Sequence, residues 1–203
     1  MDLSRNTCNS GTSSHALLVY ACSDFNSKPK VSTTLVGALC LTTGKVYAGL
    51  NEPDALKHVN HATTIARRKI QEEDVGFVRL TLGFCHIRTA GVFIAQGEYE
   101  AALDTLDDAD DATAPNLIRR KCIIERQRAR IYLKQQQCDY AAQSAQNALT
   151  FATAMDSNKS LADVTAIYRE LKSTFGNAEE VIHLRDVLKP AIQGKKLLLP
   201  QRF

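Results

Sequence analysis

The sequence predicts an all-α protein, a stack of about four antiparallel helical hairpins. Three observations carry that prediction. Small and aliphatic residues recur four and three apart, as Ala55, Val59, Ala62, then Ala102, Leu106, Ala109, then Ala141, Ala145, Ala148, and that spacing lines one face of a helix. Turn formers stand between the helical stretches: Asn51-Glu52-Pro53-Asp54, Gly97, Ala114-Pro115-Asn116 and Gly176-Asn177. Helix breakers are otherwise scarce, with 5 Pro and 10 Gly in 203 residues, which leaves long runs free to be helical.

Residues 1–13 are rich in Ser, Thr and Asn, lack helical periodicity and are expected to fray. Ser14 to Cys22 suits a short helix, and Ser27-Lys28-Pro29-Lys30 breaks the chain. The first hairpin is expected to pair Ser32–Leu50 with a return helix opening at Ala55. Pro53 suits that start, where its missing N–H costs nothing. The second pairs a long helix, Glu73–Gln96, with Tyr99–Asp111. The third pairs Leu117–Gln136 with Asp139–Met155, and the fourth Ser160–Thr174 with Ala178–Leu188. Gly83 and Gly91 fall inside helical pattern and read as close helix contacts. Lys189-Pro190 is expected to end the array, leaving a tail that contains Leu197-Leu198-Leu199. The expected division is therefore 1–31 as a poorly ordered segment with one short helix, 32–188 as the repeat domain and 189–203 as the tail. Ala62, Ala109 and Ala148 lie 47 and 39 residues apart, and Leu188 follows 40 later, which is a helical-hairpin period.

Ala90, Phe93, Gly97, Tyr99, Ala102, Leu106, Ala109 and Pro115 together resemble the tetratricopeptide repeat. That family places small residues late in a first helix, Gly-x-Tyr at the turn and further small residues along the second. The third hairpin is similar at Ala129, Tyr132, Ala141, Ala145 and Ala148, although Cys138 stands where Tyr is usual and no turn Gly is present. The first is similar at Gly44, Tyr47, Ala55, Val59 and Ala62, with a shortened turn. The resemblance implies a right-handed superhelical solenoid whose first helices line a concave groove. It also implies a non-catalytic module that binds a protein or peptide segment there. Carried over residue by residue, the groove positions are Lys45, Ile87, Ile94, Arg126, Arg130, Leu133, Lys134 and Arg169. Copies longer than the minimal repeat resemble the sensor segments of bacterial transcriptional regulators and signalling ATPases. The alternative expectation is thus a ligand-sensing fragment of a helix-turn-helix regulator whose DNA-binding domain is absent from this chain.

Composition narrows the function further. A net charge of +3 with 23% charged residues makes no case for direct nucleic-acid or membrane binding. No stretch reaches the roughly 18 apolar residues that a membrane span needs. Ala16 to Cys22 has the length of a minimal secretory core, but Arg5 is its only basic flank and Asp2 opposes it. A buried helix is the preferred reading there, and a cytoplasmic location is expected. Six scattered cysteines without a Cys-x-x-Cys pair fit small buried hydrophobes in a reducing compartment. The end repeats lack obvious polar caps, so self-association through them is also an expectation.

Catalytic signatures are missing: there is no phosphate-binding Gly-x-x-x-x-Gly-Lys-Ser/Thr loop and no Gly-x-Ser-x-Gly elbow. No enzyme activity and no cofactor are therefore expected. His58 and His61 share a helix face, with Cys85 and His86 on the next helix, but no further ligand stands at a fixed spacing and no metal site is expected. The charges are more informative. Glu98, Glu100, Asp104, Asp107, Asp108, Asp110 and Asp111 make one helix acidic; Arg119, Arg120, Lys121, Arg126, Arg128, Arg130 and Lys134 make the next basic. Adjacent helices of a stack can shield each other in this way. Alternatively Arg126, Arg130 and Lys134, four apart on one face, would grip an acidic peptide. The basic helix lacks interleaved aromatics, so direct nucleic-acid binding is not expected.

Overall fold

The computed structural model describes residues 32–68 and 80–196. The expectations for residues 1–31, 69–79 and 197–203 lie outside the described residues. The chain divides into two compact units, residues 1–80 and 81–203. All regular structure described is α-helical: α1 Thr33–Gly49, α2 Ala55–Arg68, α3 Leu82–Gln96, α4 Tyr99–Asp111, α5 Ile118–Lys134, α6 Cys138–Ala154, α7 Asn158–Phe175 and α8 Glu179–Lys196. No helix among the described residues is long and apolar enough to cross a membrane.

In the first unit, α1 and α2 form a close hairpin. Gly44 makes it possible: a Cβ there would stand 2.7 Å from Val59 Cγ1 and 3.0 Å from the Ala55 carbonyl. Ala55, Val59 and Ala62 are all fully buried, so the four-and-three spacing marks the inward face.

In the second unit, the short turns make consecutive helices antiparallel, so α3, α5 and α7 run the same way. The pairs α3/α4 and α5/α6 pack along their lengths. In addition α3 touches α5, α5 touches α7, and α6 touches both α7 and α8, whereas α4 and α6 do not meet. The core follows this order. Ile87, Ala90, Ala102, Leu106, Ala109, Ile124 and Ile131 join α3, α4 and α5. Ala129, Leu133, Ala141, Ala145, Ile167, Leu171, Val181 and Leu184 join α5 to α8. Gly83 sits where α3 meets the end of α4, since a Cβ there would stand 2.6 Å from Thr113 Oγ1 and 3.0 Å from the Ala112 carbonyl. At Gly91 a Cβ would find only ordinary contact with Gln127, at 3.6 Å.

The hairpins reverse by one shared device. The amides of Glu52, Glu98 and Gln137 donate to the carbonyls of Tyr47, Phe93 and Tyr132, each at 2.9 Å. The amides of Asn51, Gly97 and Gln136 donate to Ala48, Ile94 and Leu133, each at 3.2 Å. Those three donors have φ of 56°, 79° and 61°. This is the Schellman closure, with one left-handed residue after each helix. α6 ends likewise around Asp156, at φ 51°. Aromatic residues thus occupy one equivalent position, Tyr47, Phe93 and Tyr132, and small residues another three earlier, Gly44, Ala90 and Ala129.

Three expectations about boundaries need correction. The second hairpin's first helix does not run unbroken from Glu73: Thr81 is extended (φ −121°, ψ 155°) and caps α3, its hydroxyl accepting the Phe84 amide. Ser157 caps α7 in the same way, accepting the Ser160 amide, so that helix opens at Asn158. Such a cap is worth about 1 kcal/mol. Pro190 does not end α8, which continues to Lys196. Proline removes one backbone donor, but Ala191 and Ile192 beyond it pack against Cys122, Leu161, Val164 and Leu188 and hold the helix in place.

Candidate functional site

α5 is the hub of the second unit. Its run of Ile, Arg, Lys, Glu, Gln, Leu and Ala has high helix propensity and no Gly or Pro. At about 100° per residue, its side chains reach α4 and α6 on one side and α3 and α7 on the other.

Toward α4 the opposite charges meet. Lys121 Nζ lies 2.6 Å from Asp110 Oδ1 and donates to the Asp110 carbonyl at 3.1 Å. Arg128 bridges Asp107 and Glu125, each at 2.6 Å. Glu125 is only 9% exposed, and its second oxygen accepts from Asn147 Nδ2 at 3.1 Å. Burial opposes the charge on Arg128, but hydrogen bonds to Asp107 and Glu125, with their negative charge, outweigh it and raise its pKa. The acidic and basic helices therefore shield each other over this stretch. Because α4 and α6 diverge, a cavity of about 400 Å³ opens over α5, lined by Asp110, Pro115, Lys121, Glu125, Asn147, Thr150 and Phe151.

On the other side Arg126 Nη1 lies 2.6 Å from Asp163 Oδ2 of α7. Gln127 Nε2 donates to the Ile87 carbonyl of α3 at 3.4 Å. Arg130 and Lys134 point about 40° and 80° round from Arg126, between those two neighbours. Both are exposed, with no ion-pair partner shown among the described residues.

The eight groove positions fare unequally. Arg130 and Lys134 form one exposed basic ridge. Ile94 is half-buried against the α3–α4–α5 core. Ile87 and Leu133 are core residues, 3% and 7% exposed, because their helix faces are the ones α4 and α7 cover; neither is open to a ligand. Arg126 is tied to Asp163. Arg169 is exposed on α7 but lies about 240° round from Asp163, off the face that meets α5. Lys45 is exposed on α1 in the first unit.

The histidines do other work. His58 packs edge-on to Tyr47, with ring centroids 4.9 Å apart. Burial chiefly lowers its pKa, aided by His61 and Lys57 and opposed by Asp54. His61 is exposed, His86 half-buried and Cys85 fully buried.

A grouping that sequence spacing gave no sign of joins Cys138, Asp139 and Glu180, whose ligand atoms lie within 4.8 Å of one another. Asp139, Glu179, Glu180 and His183 line a cavity of about 230 Å³ beside it. Burial and the charges of Glu180 and Asp139 raise the Cys138 pKa. The carboxylates sit in the first turns of α6 and α8, where the helix dipoles favour negative charge without any ion. Cys138 and Glu180 are 42 residues apart, so only the fold unites them. No protein-family model matches this chain, and neither a curated protein nor a solved structure is significantly similar to it.

Proposed function

We propose that this chain is a non-catalytic, tetratricopeptide-like binding module that takes an acidic peptide segment along the α3–α5–α7 face. The observation that carries the reading is the ridge of Arg130 and Lys134. These cations stand exposed between α3 and α7, while Lys121, Arg126 and Arg128 on the same helix are already paired. The repeated Schellman turns and the same-direction row of α3, α5 and α7 support a solenoid whose first helices form one surface. An extended acidic segment would meet charge-assisted donors there.

The test is fluorescence anisotropy with labelled poly-glutamate and poly-lysine peptides. Poly-glutamate is expected to bind, to weaken with added salt, and to lose about tenfold in affinity, about 1.4 kcal/mol, in Arg130→Glu/Lys134→Glu. Equal affinity for both peptides, or an unchanged affinity in the double variant, would sink the proposal.

A second reading, the small-ligand sensor of a transcriptional regulator, draws on the 400 Å³ cavity over Lys121 and Glu125. It predicts that a free amino acid raises the melting temperature of wild type but not of Phe151→Ala, with Arg130 and Lys134 irrelevant.

A further inference from the structure

α1 is nearly free of charge: between Thr33 and Gly49 its only charged residue is Lys45, and its other polar side chains are threonines. A helix of that composition belongs in an interior, because a solvated face ordinarily carries charge. One side is buried, where Gly44 and Tyr47 meet α2. The other side carries Leu35, Leu39, Thr42, Val46 and Leu50 within an arc of about 80°. Leu35 and Val46 are each 44% exposed, Leu50 is 60% exposed and Leu39 is half-buried. Gly44, which lies against Val59 and Ala55 of α2, is on the opposite side of α1 from this arc.

The chain itself contains a matching segment. Ala16-Leu17-Leu18-Val19-Tyr20-Ala21-Cys22 is uncharged and apolar throughout. Residues 23–31 join it to α1. Nine residues reach about 30 Å when extended, more than the roughly 22 Å from Leu35 to Leu50 along the helix. A tether of that length keeps the segment at millimolar effective concentration, which favours it over any partner free in solution. We propose that the Ala16–Cys22 segment covers the Leu35–Leu39–Val46–Leu50 stripe of α1. The stripe is thereby an intramolecular docking surface.

A double-mutant cycle on the full chain tests this. Leu18→Asp and Val46→Asp are each expected to raise the unfolding equilibrium constant about tenfold, and the pair together about tenfold, not the hundredfold of independent sites. Strict additivity overturns the proposal, as does a Val46→Asp variant as stable as wild type. Light scattering on the same proteins distinguishes a second copy. If Val46→Asp halves the mass and Leu18→Asp leaves it unchanged, the stripe pairs between chains and the proposal fails. Should the Asp variants not fold, Leu18→Ala and Val46→Ala give the same cycle at smaller amplitude.

Discussion

The amide of Gln137 donates to the carbonyl of Tyr132 at 2.9 Å, across a Gln136 held at φ 61°. Gly97 occupies the equivalent place in the preceding hairpin, at φ 79°. A non-glycine residue in the left-handed region costs about 1–2 kcal/mol. Gln136 is exposed and its side chain makes no hydrogen bond among those described. Gln136→Gly is therefore expected to stabilise the protein by about 1 kcal/mol, after the entropy of the extra glycine is counted. Calorimetry should show a rise of about 2–4 °C in Tm.

Ala102 and Ala141 are completely buried where the return helices meet their partners. Enlarging either to Leu overfills a packed core and should cost about 1–3 kcal/mol in urea unfolding. Ala95→Leu, at an exposed site on α3, should stay within about 0.5 kcal/mol.

Glu125 and Asp107 both bind Arg128, but in different surroundings. Glu125→Ala removes the acceptor of Asn147 Nδ2 and one of the two carboxylates on Arg128 at a nearly buried position and should cost about 1–3 kcal/mol. The Asp107 side chain is 70% exposed, so Asp107→Asn should cost less than about 1 kcal/mol. Equal losses in denaturant titrations would show that burial does not rank these two contacts.

His58 is partly buried against Tyr47, and its pKa is depressed below the ordinary 6.5. The unfolded chain then holds the proton more tightly than the folded one, so stability rises with pH through this range. On acidification from about pH 7 to pH 5 the α1–α2 hairpin should lose stability, and His58→Phe should flatten that slope. Circular dichroism melts across the range, with wild type and variant in parallel, measure it. A slope identical in the two proteins would assign it to other groups.

Much of the fold was legible in the sequence. Tyr99–Asp111 was bounded to the residue, and the three small-residue triplets are the buried faces of α2, α4 and α6. Local signals sufficed because one helix face and one turn are nearby in sequence. The errors have physical causes of their own. Gln136 takes the turn conformation through two main-chain bonds, so no glycine announces it. Thr81 and Ser157 cap helices from inside stretches that periodicity alone would run together or trim. Pro190 is overruled by the packing of Ala191 and Ile192. The candidate site was less legible. Arg126, Leu133, Arg130 and Lys134 all fall within about 100° of helix rotation, and which side α7 occupies decides which of them are exposed. Lys121 and Glu125 join Asn147 and Phe151 around a cavity only because α4 and α6 part company.

The uneven neighbourhood of α4 and α6 has a consequence for motion. Among the described helices, α6 is clasped by α5, α7 and α8, whereas α4 leans on α3 and α5 alone. Local opening costs least where an element has fewest partners. Amide protons of α4 should then exchange with solvent well before those of α6, although both are return helices with the same alanine spacing. The acidic helix is then expected to be the breathing edge of the second unit, and its opening would part Asp110 from Lys121 and widen the cavity that both line.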